Sequence, residues 1–338
     1  MRSLRIAAVA ALLALAACSS AGQPAAHPRA NSGGQVTIAE ARQAFHRFIP
    51  QFAKLPLDYS TGAARRLTVG AELRAQLFFH GQSGPAITRL THQGFYVPKL
   101  TGYPRWFLAA GQQAGSSPAG HLFVMVQSAR SAPWKTAMAL YDIGAIAGML
   151  HQLASTVTTD AQGYAQAVPL ADRTLVVAPS AMPATYARYL DGKATRAVRR
   201  LFQHGPNTTG YISLDRQISR GASRYGWQDT DHQAPAPLPV YALRLNTGGA
   251  IVIFATDDTI SWQATSPSAS LPAQPSGPEA DYVPPPFVVQ GLGLTSVRAG
   301  LRLTVTAVDR VLAFVQPKGV GYIYPLIVNG AATGLRES

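Results

Sequence analysis

Cys18 is the only cysteine in a chain of 338 residues, and it closes the tetrapeptide Leu15-Ala16-Ala17-Cys18. Ahead of it stand a basic start, Arg2 and Arg5, and an apolar run from Ile6 to Ala17. A thiol so placed is suited to one reaction: its sulfur accepts a diacylglyceryl group, and the leader is then cut so that Cys18 becomes the first residue. Two acyl chains, each buried methylene contributing about 0.8 kcal/mol, hold a protein on a bilayer where one chain does not. The apolar run falls short of the roughly 20 residues a membrane span requires. Residues 1–17 are therefore read as a lipoprotein signal peptide, with Cys18 as the lipid-attachment residue. The expected location is the extracytoplasmic face of the cell membrane, reached by a palmitate-bearing anchor. An ordinary cleaved leader is the alternative, since Ala16 and Ala17 suit either peptidase.

Other chemistries find little support. No Gly-x-Ser-x-Gly elbow is present, and Gly81-Gln82-Ser83-Gly84 reads as a loop. No His-Glu-x-x-His occurs, and no two of the eight histidines lie within five residues. Asp229, Asp231 and His232 form the one tight group of metal-ligating types, and they read as a solvated loop before Ala234-Pro235-Ala236-Pro237. Asp257-Asp258 read as a turn between two strands. Glu40 is explained by helix capping, and Glu72, beside Arg74, by a surface position. No cofactor, metal or catalytic residue is assigned.

The basic residues are more suggestive. Formal charge is +13, and arginine outnumbers lysine 24 to 5. An exported lipoprotein does not meet chromosomal DNA, so no nucleic acid is expected. Anionic lipid, wall polymer or an envelope protein are the partners that charge and address allow. Coding bias is the plainer account of the excess. Arg188, Lys193, Arg196, Arg199 and Arg200 fall on one predicted helix, from which Arg188, Arg196, Arg199 and Arg200 would form an anion-binding patch. A merely solvated face is the alternative. Arg216, Arg220 and Arg224 follow.

The elements that must hold these residues come in a repeated order. Ser19–Gly34 is small, polar and proline-bearing, so residues 18–35 read as a flexible tether. Thr37-Ile38-Ala39-Glu40 is a capping box opening an amphipathic helix, which Pro50 should kink or end. A second helix is expected over Val69–Phe79. Short strands follow: 86–90, 94–99, 106–112, 121–128 and 134–143, then a helix over 143–153. The second half repeats this, with a helix from Pro183 to about Gln203 and another over 215–225. Strands are then expected at 240–245, 250–255, 259–264, 301–315 and 321–329, with a Pro/Ser-rich loop at 265–286. Helices followed by antiparallel strands, twice, give an α+β chain of two cystatin-like or NTF2-like units, 36–178 and 179–338. A single intertwined α+β domain is the alternative.

Two stretches carry a family resemblance. Phe95-Tyr96-Val97-Pro98 through Tyr103-Pro104-Arg105-Trp106-Phe107, with Ser131-Ala132-Pro133-Trp134-Lys135, resembles a family of actinobacterial lipoproteins catalogued as a domain of unknown function. The layout is similar: a lipobox, a polar tether and a folded region covering most of the mature chain. The resemblance implies no activity and no catalytic residues. The cluster Phe95, Tyr96, Tyr103, Trp106 and Phe107 suits core packing first and a ligand groove second. The reading is a membrane-anchored, non-enzymatic binding module. The alternative is a small-ligand carrier or pocket-bearing enzyme on the same fold.

Overall fold

The computed structural model describes residues 35–56, 59–79, 87, 90–113, 119–143, 153, 155–266, 269, 288, 292 and 298–338. The leader with Cys18, the tether up to Gly34, most of the helix expected over 143–153 and nearly all of the 265–286 stretch lie outside these.

The chain is α+β, with two antiparallel sheets and a few helices. Helix α1 (Ile38–Lys54) opens on the expected capping box: the Glu40 N–H donates to Thr37 Oγ1 at 3.1 Å, and the Thr37 N–H to Glu40 Oε2 at 2.8 Å. Pro50 does not end it; the helix continues to Lys54. Its buried stripe is Ala41, Ala44, Phe45, Phe48 and Phe52. Helix α2 (Thr61–Leu67), which lacks a strong apolar period, was not anticipated; Ser60 Oγ caps it by accepting from the Ala63 N–H. Helix α3 (Gly70–Phe79) follows as expected.

The first sheet is a meander of β1 (Leu90–Tyr96), β2 (Arg105–Gln113), β3 (Ala119–Gln127) and β4 (Lys135–Ile143), in that order. Side chains alternate across a strand, so each strand serves two faces. Phe107, Ala109, Phe123 and Met125 meet the phenylalanines of α1. Leu108, Ala110, Leu122, Val124, Met138 and Leu140 face the other way.

The second sheet contains β5 (Trp227–Pro235), β6 (Tyr241–Arg244), β7 (Ala250–Ala264), β8 (Arg302–Val315) and β9 (Ile323–Glu337). Its order is β5-β7-β8-β9, with β6 also on β7. The two strands expected at 250–255 and 259–264 are one strand of 15 residues. Asp257 and Asp258 lie within it, not in a turn, and pair in register with Val308 and Ala307 of β8. The turn reading fails because each acid finds a polar setting on the sheet. Asp257 meets Arg74 Nη1 at 2.7 Å, and Asp258 is in register with Gln233.

The sheets share a core. Leu108, Leu122, Val124, Met138 and Leu140 of the first cluster with Leu243, Ile251, Ile253, Leu312 and Ile327 of the second. Trp106 meets Tyr241 edge-on at 5.3 Å between ring centroids. Within that shared interior lies an ion pair: Arg310 Nη1 stands 2.6 Å from Glu72 Oε2, the side chains 1% and 0% exposed. Glu72 is thus not a surface residue. Its carboxylate also accepts from the Ala139 N–H at 3.0 Å and from Gln76 Nε2 at 2.8 Å. Alongside it the Asn329 side-chain amide matches the backbone of Tyr141, accepting from its N–H at 2.8 Å and donating to its C=O at 3.0 Å. Strands β4 and β9 are stitched together by that amide.

Candidate functional site

The outer face of the second sheet is covered by a helical layer. It consists of α4 (Met182–Leu190), α5 (Arg196–Arg199) and α6 (Tyr211–Ala222). Tyr186 of α4 lies over Phe254 of β7 at 5.9 Å, edge-on, and its hydroxyl donates to the Asn207 C=O at 2.7 Å. Ala250, Val252 and Phe254 alternate with the inward Ile251 and Ile253, so the helices and the shared core occupy opposite faces of β7.

The single helix expected from Pro183 to Gln203 is two helices. Asp191 caps α4, and Gly192 takes φ +72°, a left-handed conformation that ends an α-helix. Asp191 then points into the sheet: its Oδ1 accepts from the Gln233 N–H at 2.8 Å, and its Oδ2 stands 2.9 Å from His232 Nδ1 and pairs with Lys193. Burial works to raise the Asp191 pKa. The hydrogen bonds from Lys193 and the Gln233 N–H, with the charge of His232, prevail and hold it below the usual range.

The four arginines singled out in the sequence therefore do not share one helix. Arg199 turns back on the break, donating from Nε to the Ala194 C=O at 2.9 Å and from Nη2 to the Gly192 C=O at 2.7 Å. Both carbonyls lie in the link between the two helices, after Asp191 and before Thr195, so Arg199 holds that link in place. Arg188, Arg196 and Arg200 are exposed, and none is ion-paired among the described residues. Arg216, Arg220 and Arg224, on and just after α6, are likewise exposed. From 188 to 224 the chain carries eight lysines and arginines against Asp191 and Asp215.

Beneath this layer runs a polar belt. Asp229, Asp231 and His232 are not in a loop but on β5, where Asp229 and Gln233 are buried and His232 faces outward. The Tyr211 hydroxyl donates to Asp231 Oδ2 at 2.7 Å, and Gln233 Nε2 donates to the Tyr211 oxygen at 3.0 Å. Asp309 Oδ2 lies 3.4 Å from that same nitrogen. The belt fastens α6 to the sheet. Among the described residues no three histidines, cysteines or carboxylates converge as a metal site would require.

The comparisons with known proteins bear on this arrangement. Residues 70–282 match the family model described as a domain of unknown function, DUF8094. The chain belongs to that family. An uncharacterized lipoprotein of Streptomyces coelicolor is 29% identical over 235 residues, which is 65% of this chain and 66% of that protein, just under two thirds of its length. No solved structure matches. The DUF8094 region begins at α3 and takes in the first sheet, the helical layer and β5–β7. The Tyr103–Phe107 stretch and Trp134 lie inside it, and they meet in space: Phe107 and Trp134 pack edge-on at 4.8 Å. Phe107 and Tyr96 are buried core, as expected of most of that aromatic cluster.

Sequence reasoning missed two polar residues here. Arg310 gave no signal, since its partner Glu72 is 238 positions away. Arg105 was noted only as part of a motif, yet it is 8% exposed.

Proposed function

We propose that this DUF8094 protein is a lipid-tethered, non-enzymatic binding module of the cell envelope. Cys18 carries the anchor after removal of residues 1–17, and residues 18–35 lift the folded region off the membrane on its outer face. The arginine-rich outer side of the helical layer then binds anionic lipid headgroups. The observation that carries this reading is the set of exposed arginines at 188, 196, 200, 216, 220 and 224, which have no acidic partners in ion pairs among the described residues. Juxtamembrane basic residues each contribute about 1 kcal/mol on an anionic surface. The helices that carry them stand on a sheet held rigid from behind by the shared core. We read the two sheets, each with helices on its outer face, as cystatin-like or NTF2-like units fused through that core.

Two measurements test this. Metabolic labelling with palmitate should mark the wild-type chain and not Cys18→Ala; a labelled Cys18→Ala chain refutes the anchor. The Cys18→Ala chain should sediment with vesicles containing phosphatidylglycerol at low salt and not with phosphatidylcholine vesicles. Equal behaviour with both removes the lipid-binding reading. Retention by teichoic-acid-type polymer alone would assign the face to the wall instead.

A further inference from the structure

The helical layer makes no use of the Tyr103–Phe107 stretch, which holds a cation in an unusual state. Arg105 opens β2 and is more than nine-tenths buried. Its guanidinium carbon lies 4.2 Å from the centre of the Tyr103 ring. Its Nε is sealed from solvent and has no acceptor, and the Tyr103 hydroxyl is sealed and has no partner either. Gln127, in register with Arg105 across the sheet, is committed elsewhere: its amide donates to the Ala132 C=O at 2.9 Å and the Arg130 C=O at 3.3 Å. Those bonds close the β3–β4 turn, which lies at the same end of the sheet as the β1–β2 connection.

No carboxylate within the surrounding segment can neutralise this charge. From Leu73 to Tyr141 the chain has no Asp or Glu, while it has Arg74, Arg89, Lys99, Arg105, Arg130 and Lys135. Among the described residues, none of the ion pairs includes Arg105. Burying most of an arginine without a counter-ion is costly, and the Nη atoms, which are not sealed as Nε is, are the part of this charge that a ligand can reach. The guanidinium rests against the Tyr103 ring, and its Nη N–H groups are parallel donors suited to a two-oxygen acceptor. We propose that Arg105 and Tyr103 form a binding site for a carboxylate. The Nη edge of the guanidinium takes the two oxygens, with the Tyr103 ring as the surface beneath it. One buried cation matches one negative charge; a phosphate dianion would bring a second charge with no second buried cation to meet it. The carboxylate has two sources, a free small acid or the C-terminus of a peptide.

The test follows the Arg105 Nε–H resonance by NMR in the full chain carrying Cys18→Ala. Sodium acetate is titrated against sodium chloride at matched ionic strength, then inorganic phosphate. A saturable shift with acetate is expected, lost in Arg105→Gln and weakened roughly tenfold in Tyr103→Leu, which removes the ring beneath the guanidinium. Without acetate, Arg105→Met should melt at a higher temperature than wild type, because an uncompensated charge has left the interior. A short peptide with a free C-terminus, compared with its amide, separates the two sources: a peptide acid tighter than acetate identifies the terminus, and equal affinity identifies the free acid. No saturable acetate response in wild type overturns the proposal, whether or not the variants fold. A response to phosphate alone overturns the carboxylate assignment. An Arg105→Met chain that melts lower, with wild type indifferent to acetate, reduces Arg105 to a packing residue.

Discussion

Glu72 Oε2 and Arg310 Nη1 meet 2.6 Å apart in an interior that water does not reach, joining α3 to β8 across 238 positions of sequence. The pair is also fully dressed: Glu72 accepts from the Ala139 N–H and from Gln76, and Arg310 Nε donates to the Asn329 C=O at 3.2 Å. Satisfied this way, the two charges fix how the first sheet sits on the second. Breaking one partner strands the other charge in the core. Glu72→Leu and Arg310→Met should each destabilise the chain by about 3–5 kcal/mol in denaturant unfolding. The double variant should lose less than either single one, because no charge is left unpaired. Additive losses would show that the two groups act independently.

The same interface bears on the boundary at 178/179. A chain ending at Ala178 keeps Glu72 and the inner face of the first sheet but loses Arg310, Asn329 and the apolar side of β7–β9. Leu108, Leu122, Val124, Met138 and Leu140 would then face water. The expected result is a product without cooperative unfolding that binds a hydrophobic dye. A sharp two-state transition in that fragment would establish two self-sufficient units.

Local signals were legible in the sequence, and long-range compensation was not. The capping box at Thr37–Glu40 and the phenylalanine stripe behind it gave α1 because everything that decides them lies within a few residues. Strands 106–112, 121–128 and 301–315 were visible from their apolar runs and agree closely with β2, β3 and β8. Asp257-Asp258 reads as a turn because the pair falls between two apolar runs and turns favour Asp; the cation that admits Asp257 to the strand is Arg74, on a distant helix. Glu72 looked exposed for the same reason. The break at Gly192 was missed because the apolar spacing of Leu190, Ala194, Val198 and Leu201 continues across it. What ends the helix is Asp191 reaching sideways to β5.

Burial makes one histidine a pH-sensitive element. His121 on β3 is 2% exposed, and desolvation lowers its pKa from 6.5 to about 4. Its Nε2 lies 3.1 Å from Gln113 Oε1, a contact the neutral ring makes as donor. Above the unfolded value the ring is neutral in both states, and it contributes no pH dependence. As pH falls from about 6.5 to about 4, the unfolded chain takes up a proton that the folded chain refuses. Stability is therefore lost across that window, by up to about 3 kcal/mol, and the loss levels off below it. Urea unfolding at about pH 7 and about pH 4.5 should show the drop in wild type and a smaller one in His121→Phe. An equal drop in both would place the pH dependence on other groups.

The arginines of the helical layer should separate into two kinds. Arg188, Arg196 and Arg200 touch no acid in the described structure and face outward, so under the proposed function their contribution is to binding. Replacing all three by glutamine should weaken association with phosphatidylglycerol vesicles by about 3 kcal/mol at low salt, roughly a hundredfold. Their unfolding free energy should change by less than about 0.5 kcal/mol per site, as for surface substitutions generally. Arg199 instead holds the carbonyls of Gly192 and Ala194. Arg199→Gln should destabilise by about 1–3 kcal/mol, the range for losing hydrogen bonds to a charged donor, so its effect on vesicle binding must be read alongside its loss of stability. The vesicle effect of the triple variant should shrink as salt rises, because exposed charges are screened within about 8 Å at physiological ionic strength. Binding that is insensitive to both salt and the triple substitution would mean that the membrane meets some other face of the protein.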